Sequence, residues 1–392
     1  MINIFIYIDA LPLRYTSSPY MKYFSELTKN CDFVKLKNII GYSFGIQSTI
    51  LSGKLPQDHK HWMPYYYHPL KSASLFKVLG KINRKFNTNI EYPKLLKLMK
   101  YGLMSKILLK GKAGLCSIPF GMMDNFYIYP YYFMNELPFF DSLKNMIENK
   151  SNYKVTYIGP PTHRNYVLNC IKFLSSLNKD DDYMIFLYLD ELDHIGHGYG
   201  ADSYRWNNKL IETDIQIKNL FNYLTYNKYD YNIVIFSDHG ISNIEKIIDI
   251  NKLLGDIGLS WKNLIYLIDA TIVNIWEEND AKKNMIISYL NNKIGNDIDI
   301  ITKQQGKYLE KLGINFCNNA YGDIIIQCKP GKMFFPNHYS NLKAFKGAHG
   351  YLPKEDVQQS YLFFYSNCNK ELMRLDHIKD IWDLFFYLTK NS

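Results

Sequence analysis

The chain has 392 residues, 47% of them hydrophobic, enough for two or three domains or for one elaborated α/β domain. A net charge of +9 suits an anionic substrate but falls short of the dense basic stripe of a nucleic-acid binder. Six scattered cysteines (Cys31, Cys116, Cys170, Cys317, Cys328 and Cys368) form no CxxC pair and read as reduced thiols. In chain order, INIFIYI (2–8) is an apolar run rich in β-branched and aromatic residues, the pattern of a strand buried on both faces. It has no basic segment before it and Asp9 interrupts it, so it reads as a core strand rather than a signal peptide, and a cytoplasmic location is expected. A helix is predicted over 18–29, a strand over 32–38, and a second helix opening at Ser43 in GYSFGIQSTILSGKLPQDH.

Residues 62–140 interleave Pro, Gly, Lys and aromatics and read as an insertion over the sheet edge. Within it, PKLLKLMKYGLMSKILLKGK has the helical spacing of a solvated amphipathic helix, with an anionic membrane surface as the alternative. NFYIYPYYF (125–133) is either the apolar underside of the insertion or a stacking surface for a substrate group. Alternation then returns: strand 153–159, helix 164–177, strand 183–189, helix 203–227 and strand 231–237. That order predicts an α/β fold, a doubly wound, mainly parallel sheet with helices on both faces. Residues 256–345, with the long strand-like run IYLIDATIVNIW, a helix over 281–293 and the strand DIIIQC, read as a small α+β cap. The core is then 1–255 plus 346–392, closing with the strand YLFFYS and the amphipathic helix HIKDIWDLFFYLTK. No stretch approaches the ~18 uncharged apolar residues of a membrane span.

The chemistry gathers where predicted strands end. Asp9 follows the first strand, Asp193 and His197 follow YMIFLYL, and Asp238 and His239 follow YNIVIFS. His349 stands in GAHGY. Open α/β sheets bind ligands at the carboxyl ends of their strands. Carboxylate and imidazole suit zinc, and a spacing of four residues brings Asp193 and His197 to one ion if the segment is a helical turn or tight loop. The adjacent pair Asp238–His239 reaches one ion only if the strand has already bent, which Gly240 permits. Taken singly, Asp9 is a plausible helix cap, His349 a surface residue and Ser43 a turn former. Ser43 gains weight from its place at a predicted helix start, where backbone N–H groups favour a phosphate anion. Six oxygen or nitrogen ligands and one hydroxyl fit two divalent metals and a nucleophile.

In motif order over nearly its whole length, the chain resembles the nucleotide pyrophosphatase/phosphodiesterase (type I phosphodiesterase) family of the alkaline phosphatase superfamily. The matching features are the early Asp9, Ser43 before LSGKLPQDHKH, the Asp193–His197 pair, SDHG and the late HGY. The resemblance implies two metal sites, Asp193, His197 and His349 in one, and Asp9, Asp238 and His239 in the other, with Ser43 between substrate and metal. It implies two zinc ions, with manganese or iron as alternatives, and hydrolysis of a small anionic phosphate ester through a phosphoseryl intermediate. The family's phosphate-binding Asn has no counterpart in HKHWMPYYYHP, where His61, Trp62 and Tyr65 are the candidates for substrate contact and packing is their alternative role. Other reactions of the superfamily (phosphomonoester hydrolysis, phosphonate hydrolysis or an intramolecular mutase) and a metal-binding but inactive interaction module are the rival functions.

Overall fold

The computed structural model describes residues 1–72, 118–129, 134–161, 165–178, 180–305, 320–338 and 343–390, with a few positions between them. The predicted amphipathic helix of 93–112, Cys116, Cys317 and the last four residues of NFYIYPYYF lie outside the described residues.

Strand β1 (Ile2–Ile8) is buried along its entire length. It pairs in parallel with β4 (Asp182–Leu189) from Ile2 opposite Tyr183 to Ile8 opposite Leu189, and with β5 (Tyr231–Ser237) on its other side. Adding β2 (Asp32–Leu36), β3 (Tyr153–Ile158) and β10 (Ser360–Ser366) gives a six-stranded sheet in the order β2-β10-β5-β1-β4-β3. Within it β10 runs antiparallel to the other five strands.

Side chains alternate across a strand, and β1 shows it. Ile2, Ile4, Ile6 and Ile8 pack on one face of the sheet, against α1 (Lys22–Leu27), α4 (Tyr166–Ser175) and α6 (Tyr204–Tyr226). Phe5 and Tyr7 pack on the other face, against α2 (Ser43–Ser52), α3 (Pro138–Lys150) and α8 (Ile381–Thr389). Both faces are covered, as the continuous apolar runs require. The sheet is mainly parallel and wound on both sides.

A second sheet is antiparallel throughout. It comprises β6 (Ile265–Ile268), β7 (Ile272–Trp276), β9 (Ile324–Cys328) and β8 (Ile298–Thr302), in that spatial order. Helix α7 (Asp280–Ile294) buries Ile286 and Leu290 in the same apolar cluster. The run IYLIDATIVNIW is therefore a hairpin and not one long strand. Asp269 breaks it: its backbone N–H bonds to Ile272 O at 2.7 Å and its carboxylate accepts from Ala270 N at 2.6 Å, so the side chain competes with the strand ladder and holds a turn.

Tyr65–Tyr67 pairs antiparallel with Phe126–Ile128. Phe126 packs against Trp276 of the second sheet with ring centroids 5.3 Å apart, and Tyr67 stacks on the same indole at 5.4 Å. Within NFYIYPYYF, Phe126 thus packs on the second sheet, while Tyr129 packs against Phe44 and His61. Cys31, Cys170, Cys328 and Cys368 are free thiols. Among the described residues no helix is long and apolar enough to cross a membrane.

Candidate active site

Three neighbouring parallel strands, β4, β1 and β5, end at the same edge of the sheet. Asp9 leaves β1, and its N–H bonds to Leu189 O at the end of β4. Beyond β4 the chain enters α5 (Glu191–Tyr199), so Asp193 and His197 are one helical turn apart and face the same side. Beyond β5 the chain bends at once, placing both Asp238 and His239 on the site, fully buried. His349 arrives on Gly347–Ala348, which pairs antiparallel with Ser242–Asn243. Ser43 opens α2.

These seven side chains meet in one place. His197 Nε2 and His349 Nε2 each lie 3.2 Å from Asp193 Oδ1 and 3.1 Å from each other. His239 Nε2 lies 3.1 Å from Asp238 Oδ2 and 3.8 Å from Asp9 Oδ1. Ser43 Oγ is 2.9 Å from His239 Nε2 and donates to Asp9 Oδ1 at 3.4 Å. The two groups adjoin, because the His239 and His349 rings stack with centroids 3.8 Å apart. In each triad the ligand atoms all lie within 4.8 Å of one another.

The protonation logic favours cations here. His197 Nδ1 faces Gly347 O at 2.9 Å, and His239 Nδ1 faces Gly240 O at 3.0 Å. A carbonyl only accepts, so each Nδ1 carries a proton; in neutral His239 this turns the Nε2 lone pair inward, the arrangement of a metal-binding imidazole, whereas at His197 the Asp193 carboxylate outweighs burial and raises the imidazole. Burial pushes His239 down to about 4 and lowers His349 as well, keeping both neutral. Burial, and then the charge of Asp238, hold the Asp9 carboxyl well above the usual range. Lone pairs this crowded repel unless a positive charge sits among them. The donor set, with imidazole nitrogens and carboxylate oxygens in both groups, fits two divalent ions of the zinc type.

The outer ring was not predicted. Tyr7 donates to Asp238 Oδ2 at 2.6 Å, and Tyr188 donates to Asp9 Oδ2. Gln47 Nε2 supports Tyr188 OH at 3.1 Å. Both tyrosines lie on ligand-bearing strands, a signal that an aromatic-rich composition conceals. Behind them Gln358 ties two loops together: its Oε1 accepts from Gly350 N and Tyr351 N at 2.9 and 3.1 Å, and its Nε2 donates to Gly41 O at 3.0 Å. It therefore joins the turn after His349 to the approach to Ser43. Gln358→Leu would strand three backbone groups at about 1–3 kcal/mol each. A loss of about 3 kcal/mol or more is expected in urea unfolding.

A cavity of about 500 Å³ opens over Asp9, Ser43, Asp193, His197 and His349, and is also lined by Tyr42, Phe44, Gln47, Tyr188, Asp190, His194, Asp269 and Phe345. His61, Trp62 and Tyr65 instead stand behind this wall. The His61 ring stacks on Phe44 with centroids 5.6 Å apart, Trp62 Nε1 donates to Ile40 O at 2.6 Å, and Tyr65 OH donates to Asp269 at 3.1 Å. Aromatic bulk makes them good packing for the floor beneath Ser43. Their closeness also explains Gly45: a Cβ there would lie 2.6 Å from the Trp62 carbonyl oxygen. Gly45→Ala is expected to cost about 1–3 kcal/mol by forcing α2 away from this floor, read as a lowered urea midpoint.

Residues 3–352 match the type I phosphodiesterase / nucleotide pyrophosphatase family. Among solved structures, murine ectonucleotide pyrophosphatase / phosphodiesterase 5, as an inactive variant in complex with AMP, superposes with a TM-score of 0.65 at 16% identity. The superposition covers 98% of this chain and 94% of that one. The human counterpart gives a TM-score of 0.64, at the same identity and coverage. These likenesses establish the fold. With the family match spanning both candidate metal-ligand triads and the seven clustered side chains, the chain belongs to the type I phosphodiesterase / nucleotide pyrophosphatase family of the alkaline phosphatase superfamily.

Proposed function

We propose that this chain hydrolyses a small anionic phosphodiester, with Ser43 as nucleophile and two divalent metal ions, zinc before manganese or iron, as cofactors. The observation that carries the reading is the position of Ser43 Oγ, 2.9 Å from His239 Nε2 and 3.4 Å from Asp9 Oδ1, on the floor of the common cavity. Asp193, His197 and His349 would hold one ion, and Asp9, Asp238 and His239 the other. When bound, the ions supply positive charge that favours loss of the Ser43 proton and offsets the charge of the phosphate.

The chain's own groups do the rest. Ser43 stands at the first position of α2, where free backbone N–H groups and the helix dipole favour an anion beside the hydroxyl. The Tyr7 and Tyr188 hydroxyls fix the carboxylates of Asp238 and Asp9, so neither rotates as charge moves. Ser43 Oγ bonds to phosphorus as the ester bond to the leaving alcohol breaks, and the alcohol departs with a proton. Water then breaks the Oγ–phosphorus bond and restores the serine, releasing the phosphoryl product. Murine ectonucleotide pyrophosphatase / phosphodiesterase 5 carries AMP in its structure, in line with a phosphate ester as ligand of this fold.

The test pairs metal content by elemental analysis with turnover of bis-p-nitrophenyl phosphate and p-nitrophenyl phosphate in one preparation. About two metals per chain and faster release from the diester are expected. Bound metal without turnover of either ester would leave the inactive-module reading standing. Preference for the monoester would move the assignment to phosphomonoester hydrolysis.

A further inference from the structure

Helix α6 packs on one face of the central sheet and is the longest helix among the described residues. Its inner side buries Trp206, Leu210, Ile217, Leu220 and Leu224. The Ser203 side chain caps its first turn by accepting from Trp206 N at 3.2 Å, so the opposite side is fixed towards solvent. That outer side is not polar throughout. Tyr204 and Tyr226 stand at its two ends, 80% and 87% exposed, and Ile211 and Ile215 stand near its middle, 41% and 52% exposed. Asn208, Asn219 and Asn222 fill the places between, and among the described residues none of these amides has a hydrogen-bonding partner.

The spacing of this stripe is symmetric. From Tyr204 through 208, 211, 215, 219 and 222 to Tyr226 the steps are four, three, four, four, three and four residues. Such steps keep all the members on one side of a helix. Turned end for end about Ile215, the stripe lays Tyr204 on Tyr226, Asn208 on Asn222 and Ile215 on itself. Only Ile211, which meets Asn219, departs from the match. A two-fold contact needs a surface of this kind, since residue i meets j wherever j meets i. A different partner would need no internal symmetry. Arg205, Glu212 and Lys218 flank the stripe without entering it, so the net charge of +9 on each chain is not gathered at such a contact.

We infer that the outer side of α6 is a self-association surface, on which a second copy of the chain packs its own α6 antiparallel about a two-fold axis at Ile215. The isoleucines at the axis exclude water, and Asn208 of each copy exchanges amide hydrogen bonds with Asn222 of the other. Tyr204 and Tyr226 lie about 33 Å apart along the helix, so each Tyr204 reaches the far end of the other copy. There a cleft of about 640 Å³ beside Tyr226, walled by Tyr23, Leu27 and Phe221, receives the ring. The stripe is one helix wide, which puts the contact at the small end of specific interfaces and its Kd in the micromolar range. None of the stripe residues lines the catalytic cavity, so both copies keep their sites open.

Sedimentation velocity of the full chain, from about 1 to about 100 µM, tests it. The weight-average mass is expected to climb from 46.2 kDa towards twice that value. Ile215→Lys sets two ammonium groups face to face at the axis and should weaken association by about tenfold or more. Its circular dichroism and Tm should match the wild type, because residue 215 is exposed. A wild-type chain that stays at 46.2 kDa throughout overturns the proposal. So does a dimer whose Kd Ile215→Lys leaves unchanged.

Ile215→Cys separates the antiparallel arrangement from other pairings. At the two-fold axis the introduced thiol faces its own copy, so oxidation with copper phenanthroline should link Ile215→Cys into a disulfide dimer that the wild type, with its native cysteines, does not form. Leu168→Cys, on the neighbouring helix α4 and equally exposed, should stay unlinked. Linking at residue 168 in place of residue 215 sinks the two-fold pairing of α6.

Discussion

Ser43→Ala is expected to reduce phosphodiester turnover by at least ~10³-fold, the scale on which enzymes lose activity when a covalent nucleophile is removed. Metal content should stay near the wild-type value, because all six remaining ligands come from other residues: Asp9, Asp193, His197, Asp238, His239 and His349. The loss should fall on kcat more than on KM, since the hydroxyl's main contribution is to the reacting bond and not to holding the ester. The fold should barely respond. Ser43 is a first-turn residue whose side chain caps no helix, and its contacts are with Asp9 and His239. Steady-state kinetics with elemental analysis of the same sample reads all three quantities. Near-normal turnover in Ser43→Ala would remove the serine from the chemistry and leave water as the attacking group.

Removing the metals should have an effect of similar size and one more besides. Dialysis against a chelator is expected to abolish hydrolysis and lower the Tm, and zinc should restore both. The stability change follows from mass action: a ligand at a thousand times its Kd stabilises the native state by about 4 kcal/mol. Without cations the folded chain must bury Asp9 beside Asp238, a like-charge contact that raises Asp9 on top of its desolvation. His239→Ala should lower metal content from about two per chain towards one and cut activity further than the ~10–100-fold typical of losing an outer partner. Tyr188→Phe provides the contrast, since it removes one donor to Asp9 and leaves every ligand in place. A chain whose Tm ignores both chelator and zinc would refute the metal-centre assignment.

The clustering of the candidate ligands was largely legible in the sequence, because Asp9, Asp193 and Asp238 stand at the end of an apolar strand or just beyond it. Asp9 after INIFIYI, Asp238 after YNIVIFS and Asp193 after YMIFLYL need no tertiary information to be placed at one sheet edge. The doubly wound sheet was legible for the same reason, as its buried parallel strands are continuous apolar runs. What hid was long-range. Nothing local to QQSY says that Gln358 bridges two loops, and nothing in the run of tyrosines marks Tyr7 and Tyr188 as supports for ligands. The hairpin at Asp269 was missed because flanking β-branched residues outweigh three turn residues in any local reading. His61, Trp62 and Tyr65 lie close to Ser43 but on the far side of Phe44 or Asp269, a distinction that spacing does not carry.

Seating the acid ends of adjacent parallel strands side by side has a further consequence. Neighbouring strands lie about 4.8 Å apart, so the separation of Asp9 from Asp238 within one triad is inherited from the backbone lattice and not negotiated by flexible side chains. Ile8 opposite Leu189 and Tyr7 opposite Phe236 lock that lattice on both flanks of the central strand. A slip of one residue would point Asp9 into the opposite layer of the sandwich. Segments above the edge that carry none of the seven side chains can therefore diversify, while the ruler beneath them stays the same length.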